Sequence, residues 1–312
     1  KNKEDSSELV KTRAWFGILP TADVRPAPWV GVCVGFNSGW GNNREWRLFD
    51  ILARAGIGVI RQAVDWPSWE RTPGNYGVIP IFDQLADELA KRGINWNLKF
   101  YRPNTDYKNP LDPDAHARFA AWLANHYKDK VTHFEIWNEP ANCFFRDQYG
   151  QDKTGRGIWV DKFVEFTNKT ARAIKQARPD AKVLVASEDI LFRLQEMLEK
   201  GIGKHADIIA VHAYTKRKVR PETGEFLGDG FASMRAYCRR YDAPQRVAIT
   251  ESGWTTCSGK DITHLGWAGS FVQTTYEQQA SYLIRMYLLA HAAGAEFVTN
   301  YDFMNDGPRR DY

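Results

Sequence analysis

From Trp29 onward, short apolar runs alternate with amphipathic stretches. The runs are VGVCVGF (30–36), GVIRQAV (58–64), INWNLKF (94–100), THFEIWN (132–138), KVLVASE (182–188), DIIAVHAY (207–214), RVAITES (246–252) and EFVTNYDF (296–303). Each has the length of a strand buried on both faces and is rich in Val, Ile and Phe. Between them lie REWRLFDILARAG, IFDQLADELAKRG, DAHARFAAWLANHY, FVEFTNKTARAIKQA, LFRLQEMLEKG, FASMRAYCRRY and YEQQASYLIRMYLLAHAAG. These carry apolar residues at i, i+3, i+4 and i+7, the stripe of a helix laid against a core. Gly56, Gly93, Gly201 and Gly294 stand where a helix C′ residue is expected.

Strand then helix, seven times over and closed by an eighth strand, predicts an α/β fold: a single-domain (β/α)8 TIM barrel. A doubly wound open sheet is the alternative. It would usually have fewer units and a phosphate-binding glycine turn, and no GxGxxG follows the first strand. The pattern is irregular at both ends. Residues 1–28 read as an N-terminal extension, polar over KNKEDSSELVKTR, ahead of a catalytic barrel at 29–312. Few residues follow the eighth strand, so the eighth helix reads as missing or replaced. Either the segment from Ser6 to Leu19 covers that gap or the chain is truncated.

Composition changes this picture little. A chain of 312 residues would suggest two domains by length alone, but α/β barrels commonly exceed about 250 residues as one. The formal charge of +4 is small and mixed in sign, which does not predict a nucleic-acid partner. Lys216, Arg217, Lys218 and Arg220 form one local basic cluster, read as a solvated loop that permits an acidic polysaccharide without demanding one. No apolar run approaches the roughly 18–20 residues of a membrane span. No secretory signal is visible, yet the chain starts at Lys1, so a secreted or periplasmic protein is expected, with the cytoplasm left open. The four cysteines show no CxxC and no zinc spacing. Cys33 reads as a core thiol, while Cys143 and Cys257 follow two strands of interest and could pair. Twelve tryptophans are a surplus that suggests flat platforms for ligands such as sugar rings, although Trp46 and Trp122 fall in helical patterns and read as core.

Catalytic groups of such barrels sit at the C-terminal ends of strands. Those ends carry Phe36-Asn37, Arg61, Tyr101, Trp137-Asn138-Glu139-Pro140, Ser187-Glu188, His212 with Tyr214, Glu251, and Asn300-Tyr301. A buried carboxylate at a strand end is costly unless it is paired or used. Two of them, after strands four and seven, converging in an aromatic cleft would form the device of glycoside hydrolysis.

The motifs carry a family resemblance. HFEIWNEP (133–140) resembles the strand-four motif of clan A retaining glycosidases, and VAITESGW (247–254) resembles the strand-seven motif of the same clan. Arg61 looks like the arginine ending strand two, DWPSWERTPGNY like the loop after it, HAY (212–214) like strand six, and NYDFMNDG (300–307) like the end of strand eight. The likeness covers roughly residues 29 to 307, with families 39 and 5 nearest.

The resemblance implies a retaining β-glycosidase, needing no cofactor or metal and acting on an oligo- or polysaccharide. It implies Glu139 as general acid/base and Glu251 as nucleophile. Asn138 would bond the sugar 2-hydroxyl, Tyr214 would donate to Glu251, and Arg61 would keep Glu251 ionised. His212 would contact a sugar hydroxyl or orient a neighbour, and Trp137, Trp254 and Tyr301 are further expected substrate contacts. Of the other carboxylates, Glu135 is expected to partner Arg61 inside the barrel and Glu188 to start a helix. The sequence departs from the clan at strand eight, where Thr299-Asn300-Tyr301 stands in place of a tryptophan. The long loops 141–157 and 255–275 carry Phe144, Phe145 and Trp267 and are expected over the barrel mouth. Three other readings compete: a sugar-binding barrel without turnover, a transglycosylase, and a metal-dependent hydrolase. The last is disfavoured because His212 is the one histidine at a strand end.

Overall fold

A computed structural model describes residues 25–36, 46–142, 144–153, 157–189, 191–215, 220–223, 227, 229–256 and 273–303. Strands β1 (Ala27–Cys33), β2 (Ile57–Asp65), β3 (Asn95–Tyr101), β4 (His133–Ile136), β5 (Lys182–Glu188), β6 (Ile208–His212), β7 (Val247–Glu251) and β8 (Val298–Asn300) pair in chain order, and β8 returns to β1 to close the barrel. Every pairing is parallel. The chain is a (β/α)8 barrel. The position of a helix after β8 lies outside the described residues.

Helices follow the predicted stripes. They are α1 (Arg47–Arg54), the short α2 (Trp66–Trp69), α3 (Pro80–Lys91), α4 (Pro113–His126), the short α5 (Phe145–Tyr149), α6 (Ile158–Ala177), α7 (Leu191–Glu199), α8 (Asp229–Arg240) and α9 (Tyr276–Ala292), with a 3-10 turn at Pro221–Thr223. α3 starts on Pro80, whose missing N–H costs nothing there, and buries Phe82, Leu85, Ala86 and Leu89 on one stripe. α4 is capped by Asp112, whose carboxylate accepts from the amides of Asp114 and Ala115. α9 opens with a reciprocal capping box between Thr275 and Gln278. All four expected C′ glycines have left-handed φ, between 66° and 86°, the conformation that ends a helix at least cost in glycine.

Two apolar layers hold the barrel. The larger lies between sheet and helices, where Leu98 and Phe100 of β3 and Phe119 of α4 are buried. A smaller cluster, Val59, Leu184, Ile208, Ala210, Ala248 and Phe297, includes strand residues on the same face as Arg61 and His212, two positions earlier along their strands. It packs below the polar groups, so charged side chains occupy the C-terminal half of the barrel interior. Strand lengths differ from the sequence pattern where the backbone leaves the ladder. β4 has four residues because Trp137, next in the chain, takes φ of 74°. β8 has three. α5 and the 3-10 turn were not predicted, since neither is long enough to show a period.

Candidate active site

Arg61 rises from β2 into the centre of the barrel and ties three strands together. Its Nε and Nη2 donate to Glu135 of β4 at 2.7 and 2.9 Å, a two-pronged pair. Its Nη1 donates to Glu251 at the end of β7, and Nη2 also reaches Asn138 Oδ1 at 2.9 Å. Glu135 accepts further bonds from Asn97 Nδ2 and Ser187 Oγ, each at 2.7 Å. Burial would raise the Glu135 carboxyl, but the Arg61 charge and its hydrogen bond overcome this and hold it below the ordinary range. Burial likewise works against the charge of Arg61, and Glu135 and Glu251 keep its pKa well above the usual value. The expected partnership of Glu135 and Arg61 is therefore present as a buried ion pair.

Glu251 sits on this platform, almost wholly buried. Tyr214 donates its hydroxyl to Oε2 at 3.0 Å. Burial pushes the Glu251 carboxyl up. The charges of His212, Arg61 and Lys99 and the Arg61 bond push it down harder, to about 2. Tyr214 is driven the other way by burial and by Glu251 and Glu139, and stays a neutral phenol that can only donate to the carboxylate.

Glu139 is held differently. β4 ends in a twist in which Trp137 and Glu139 both have positive φ, 74° and 42°. β5 ends likewise, with Ala186 and Ser187 at 88° and 47° where its register against β6 shifts. The two turns are joined by the Glu139 amide donating to the Ser187 carbonyl at 3.1 Å. Each such residue costs on the order of 1–3 kcal/mol, and strain of this kind collects at functional sites. The Glu139 carboxylate has a fifth of its side chain exposed. It accepts from Asn142 Nδ2 at 3.1 Å and meets His212 Nδ1 at 2.8 Å. His212 Nε2 lies 3.4 Å from Arg61 Nη2, a donor, so the imidazole proton is assigned to Nδ1, pointing at Glu139. One carboxylate oxygen each of Glu139 and Glu251 and one His212 nitrogen lie within 4.8 Å of one another. Such a trio can hold a cation. Here Arg61 and Lys99 already oppose Glu251, and a divalent ion would meet their repulsion.

Most of the expected residues converge. Asn138 lies beside Arg61, and Tyr301, 40% exposed, is tied to the end of β7 by its amide donating to the Ser252 carbonyl at 2.7 Å. That approach needs a glycine opposite: a Cβ on Gly253 would stand 2.3 Å from the Tyr301 carbonyl oxygen. Trp254 is mostly buried, with its ring edge-on to Tyr282 of α9. Trp137 is a correction. Expected to touch substrate, it is fully buried among Tyr101, Phe144, Phe145 and Phe166, because its left-handed backbone turns the ring out of the barrel interior. A side chain with no exposed surface cannot stack on a sugar. Cys33 is buried as expected, and burial pushes its thiol up to about 12. Asn37, Cys143, the basic run 216–218, Cys257 and Trp267 lie outside the described residues.

Sequence reasoning did not select Lys99 or Asn142, and it placed Ser187 at the end of strand five without giving it a role. Lys99 is one of the alternating inward residues of β3, and that alternation was the available signal. Ser187 and Asn142 act through local backbone twists that leave no periodic trace.

Known proteins supply an independent comparison. Residues 22–287 match the family model described as cellulase, glycosyl hydrolase family 5. No curated protein matches the chain. Among solved structures, a family 39 glycoside hydrolase from the gut symbiont Bacteroides cellulosilyticus WH2 superposes with a TM-score of 0.70 at 21% identity, covering 92% of this chain and 58% of that one. The exo-β-1,4-mannosidase Op5Man5 from Opitutaceae bacterium strain TAV5 gives 0.58 at 16%, covering 92% and 55%. Endoglucanase Cel5A from Thermotoga maritima gives 0.60 at 16%, covering 90% and 92%. At these identities the likeness is one of fold. The chain spans little more than half the length of the first two.

Proposed function

Because the chain belongs to the cellulase family, glycosyl hydrolase family 5, of clan A, we propose that it hydrolyses β-linked glycans with retention of configuration. The observation that carries this reading is the close approach of the two carboxylates: one oxygen of Glu139 lies within 4.8 Å of one oxygen of Glu251. Retaining enzymes need their carboxyl groups about 5–5.5 Å apart, whereas inverting enzymes separate them by about 6.5–9.5 Å to admit a water.

In the first step a Glu251 oxygen attacks the anomeric carbon. The bond from that carbon to the glycosidic oxygen breaks, and Glu139 delivers its proton to the departing oxygen. In the second, water attacks the same carbon, Glu139 takes the water's proton, and the ester bond to Glu251 breaks. A carboxyl held at about 2 makes Glu251 an anion at neutral pH, ready as nucleophile. The exposed edge of Glu139 gives leaving group and water a way to its oxygens. Asn138 would bond the 2-hydroxyl, an interaction that strengthens in the oxocarbenium-like transition state.

The test is intact mass after incubation with a panel of 2-deoxy-2-fluoro β-glycosides, followed by peptide mapping. A one-glycosyl increase on the peptide carrying Glu251 is expected. Labelling at another residue, or products of inverted configuration, would overturn the reading.

A further inference from the structure

Lys99 stands at the cleft end of β3, on the same strand face as Asn97 and Tyr101, and pairs laterally with Ala63 and Glu135. Its Nζ donates to Asn138 Oδ1 at 3.0 Å, the same oxygen that accepts from Arg61 Nη2 at 2.9 Å. Its ammonium also lies 4.9 Å from the centre of the Tyr101 ring, a cation–π contact that holds it in place. Two cationic donors on one amide oxygen settle the orientation of that amide. Were Asn138 flipped, its NH2 would face two further donors with no acceptor between them. Oδ1 therefore points into the barrel and Nδ2 is left for the cleft.

Burial and the Arg61 charge hold the Lys99 ammonium below its ordinary range, and Glu251 and Glu135 offset them in part. The groups around Lys99 are Arg61 and Asp65 from β2, Glu135 from β4, Glu251 from β7 and the Cys33 thiol from β1. At the centre, Arg61 alone would face two buried carboxylates, Glu135 and Glu251. Lys99 brings the count to two cations against two anions.

We infer that Lys99 is a positioning residue: it locks Asn138 with its amide nitrogen toward the sugar 2-hydroxyl. The inference rests on the retaining-hydrolase reading of the site. It makes the strand-three lysine, rather than Asn138 alone, a determinant of how strongly the 2-hydroxyl is used.

The experiment is a cycle between residue and hydroxyl. Lys99→Met keeps the stem and removes the charge. kcat/KM is measured for the native chain and the variant on 4-nitrophenyl β-glycosides and on the matching 2-deoxy glycosides, normalised to folded protein by circular dichroism. We expect Lys99→Met to lose about tenfold to a hundredfold on the 2-hydroxy substrate but about twofold at most on the 2-deoxy one. Lys99→Arg, which restores a cationic donor, should recover most of the loss. Equal losses on both substrates, or an arginine variant no better than methionine, would overturn the inference while leaving the hydrolase reading intact. Failure of the native chain to turn over any β-glycoside in the panel would remove both.

Discussion

The two carboxylates of the site are the same chemical group in opposite surroundings. Glu251, at the end of β7, is nearly sealed and is gripped by Arg61 and Tyr214, with His212 at 3.6 Å. Glu139, at the end of β4, is a fifth exposed and is met by Asn142 and His212. The first arrangement fixes a negative charge, and the second leaves a carboxyl able to exchange protons with what enters the cleft. On the proposed reading, the partners that each strand end brings set the role of its carboxylate, as where one site runs acid and base chemistry together. His212 belongs to both surroundings and couples them through one ring.

The largest effect should come from emptying the gripped side. Glu251→Gln removes the attacking oxygen anion and should lower kcat on the order of ten-thousandfold for every β-glycoside, whatever its leaving group. Glu139→Gln should be smaller and selective. It should cost about a hundredfold to ten-thousandfold on substrates with poor leaving groups, and little in the first step for activated aryl glycosides, which need no acid. Rates on paired aryl and alkyl glycosides check both, and equal losses at Glu139 would erase the distinction drawn between the two ends.

The grip can also be loosened without removing the nucleophile. Tyr214→Phe deletes one charge-assisted donor and should reduce kcat/KM by about tenfold to a hundredfold. Hydrogen bonding to the charged form keeps a carboxyl pKa low, so losing it moves the Glu251 pKa upward. The acid limb of the kcat/KM profile should rise with it. Stability has the same sign. A carboxyl depressed to about 2 contributes stability above its unfolded value near 4.3, and that contribution disappears as pH falls from there toward 2. Acid unfolding of the native chain and of Glu251→Gln, followed by circular dichroism, should differ within that window, with the variant less sensitive to pH.

The same contrast explains what was legible in the sequence. The barrel was readable because strand and helix each impose a period, and Gly56, Gly93, Gly201 and Gly294 mark helix ends with left-handed φ. Arg61, Asn138, Tyr214 and Glu251 fall at strand ends inside motifs, and the closed barrel brings their side chains within hydrogen-bond reach of one another. Trp137 was misread for a physical reason. It stands in the same motif, but the left-handed turn that aims Glu139 inward aims Trp137 outward, and no pattern in a single sequence reports φ. Lys99 went unselected because its importance depends on lateral register against β4, which appears only when the sheet is closed.

The smallest expected effect tests the open side. Asn142 lies three residues beyond Glu139 on the turn that follows β4, and its amide nitrogen donates to Glu139 Oε2 at 3.1 Å while its backbone amide donates to the Glu139 carbonyl at 2.9 Å. Only the side-chain bond is lost in Asn142→Ala, so the turn keeps its backbone closure. A solvent-facing bond of this kind contributes about 0.5–1.5 kcal/mol, which corresponds to about twofold to tenfold in rate. Because the bond strengthens as Glu139 becomes a carboxylate, its loss should fall on the first step, where Glu139 gives up its proton, more than on the second. Alkyl glycosides, which need that proton, should therefore lose kcat/KM, whereas activated aryl glycosides should keep theirs. A drop in kcat/KM on these substrates instead would mean that Asn142 shapes the approach to Glu251, and that the open and gripped sides are not separable at this residue.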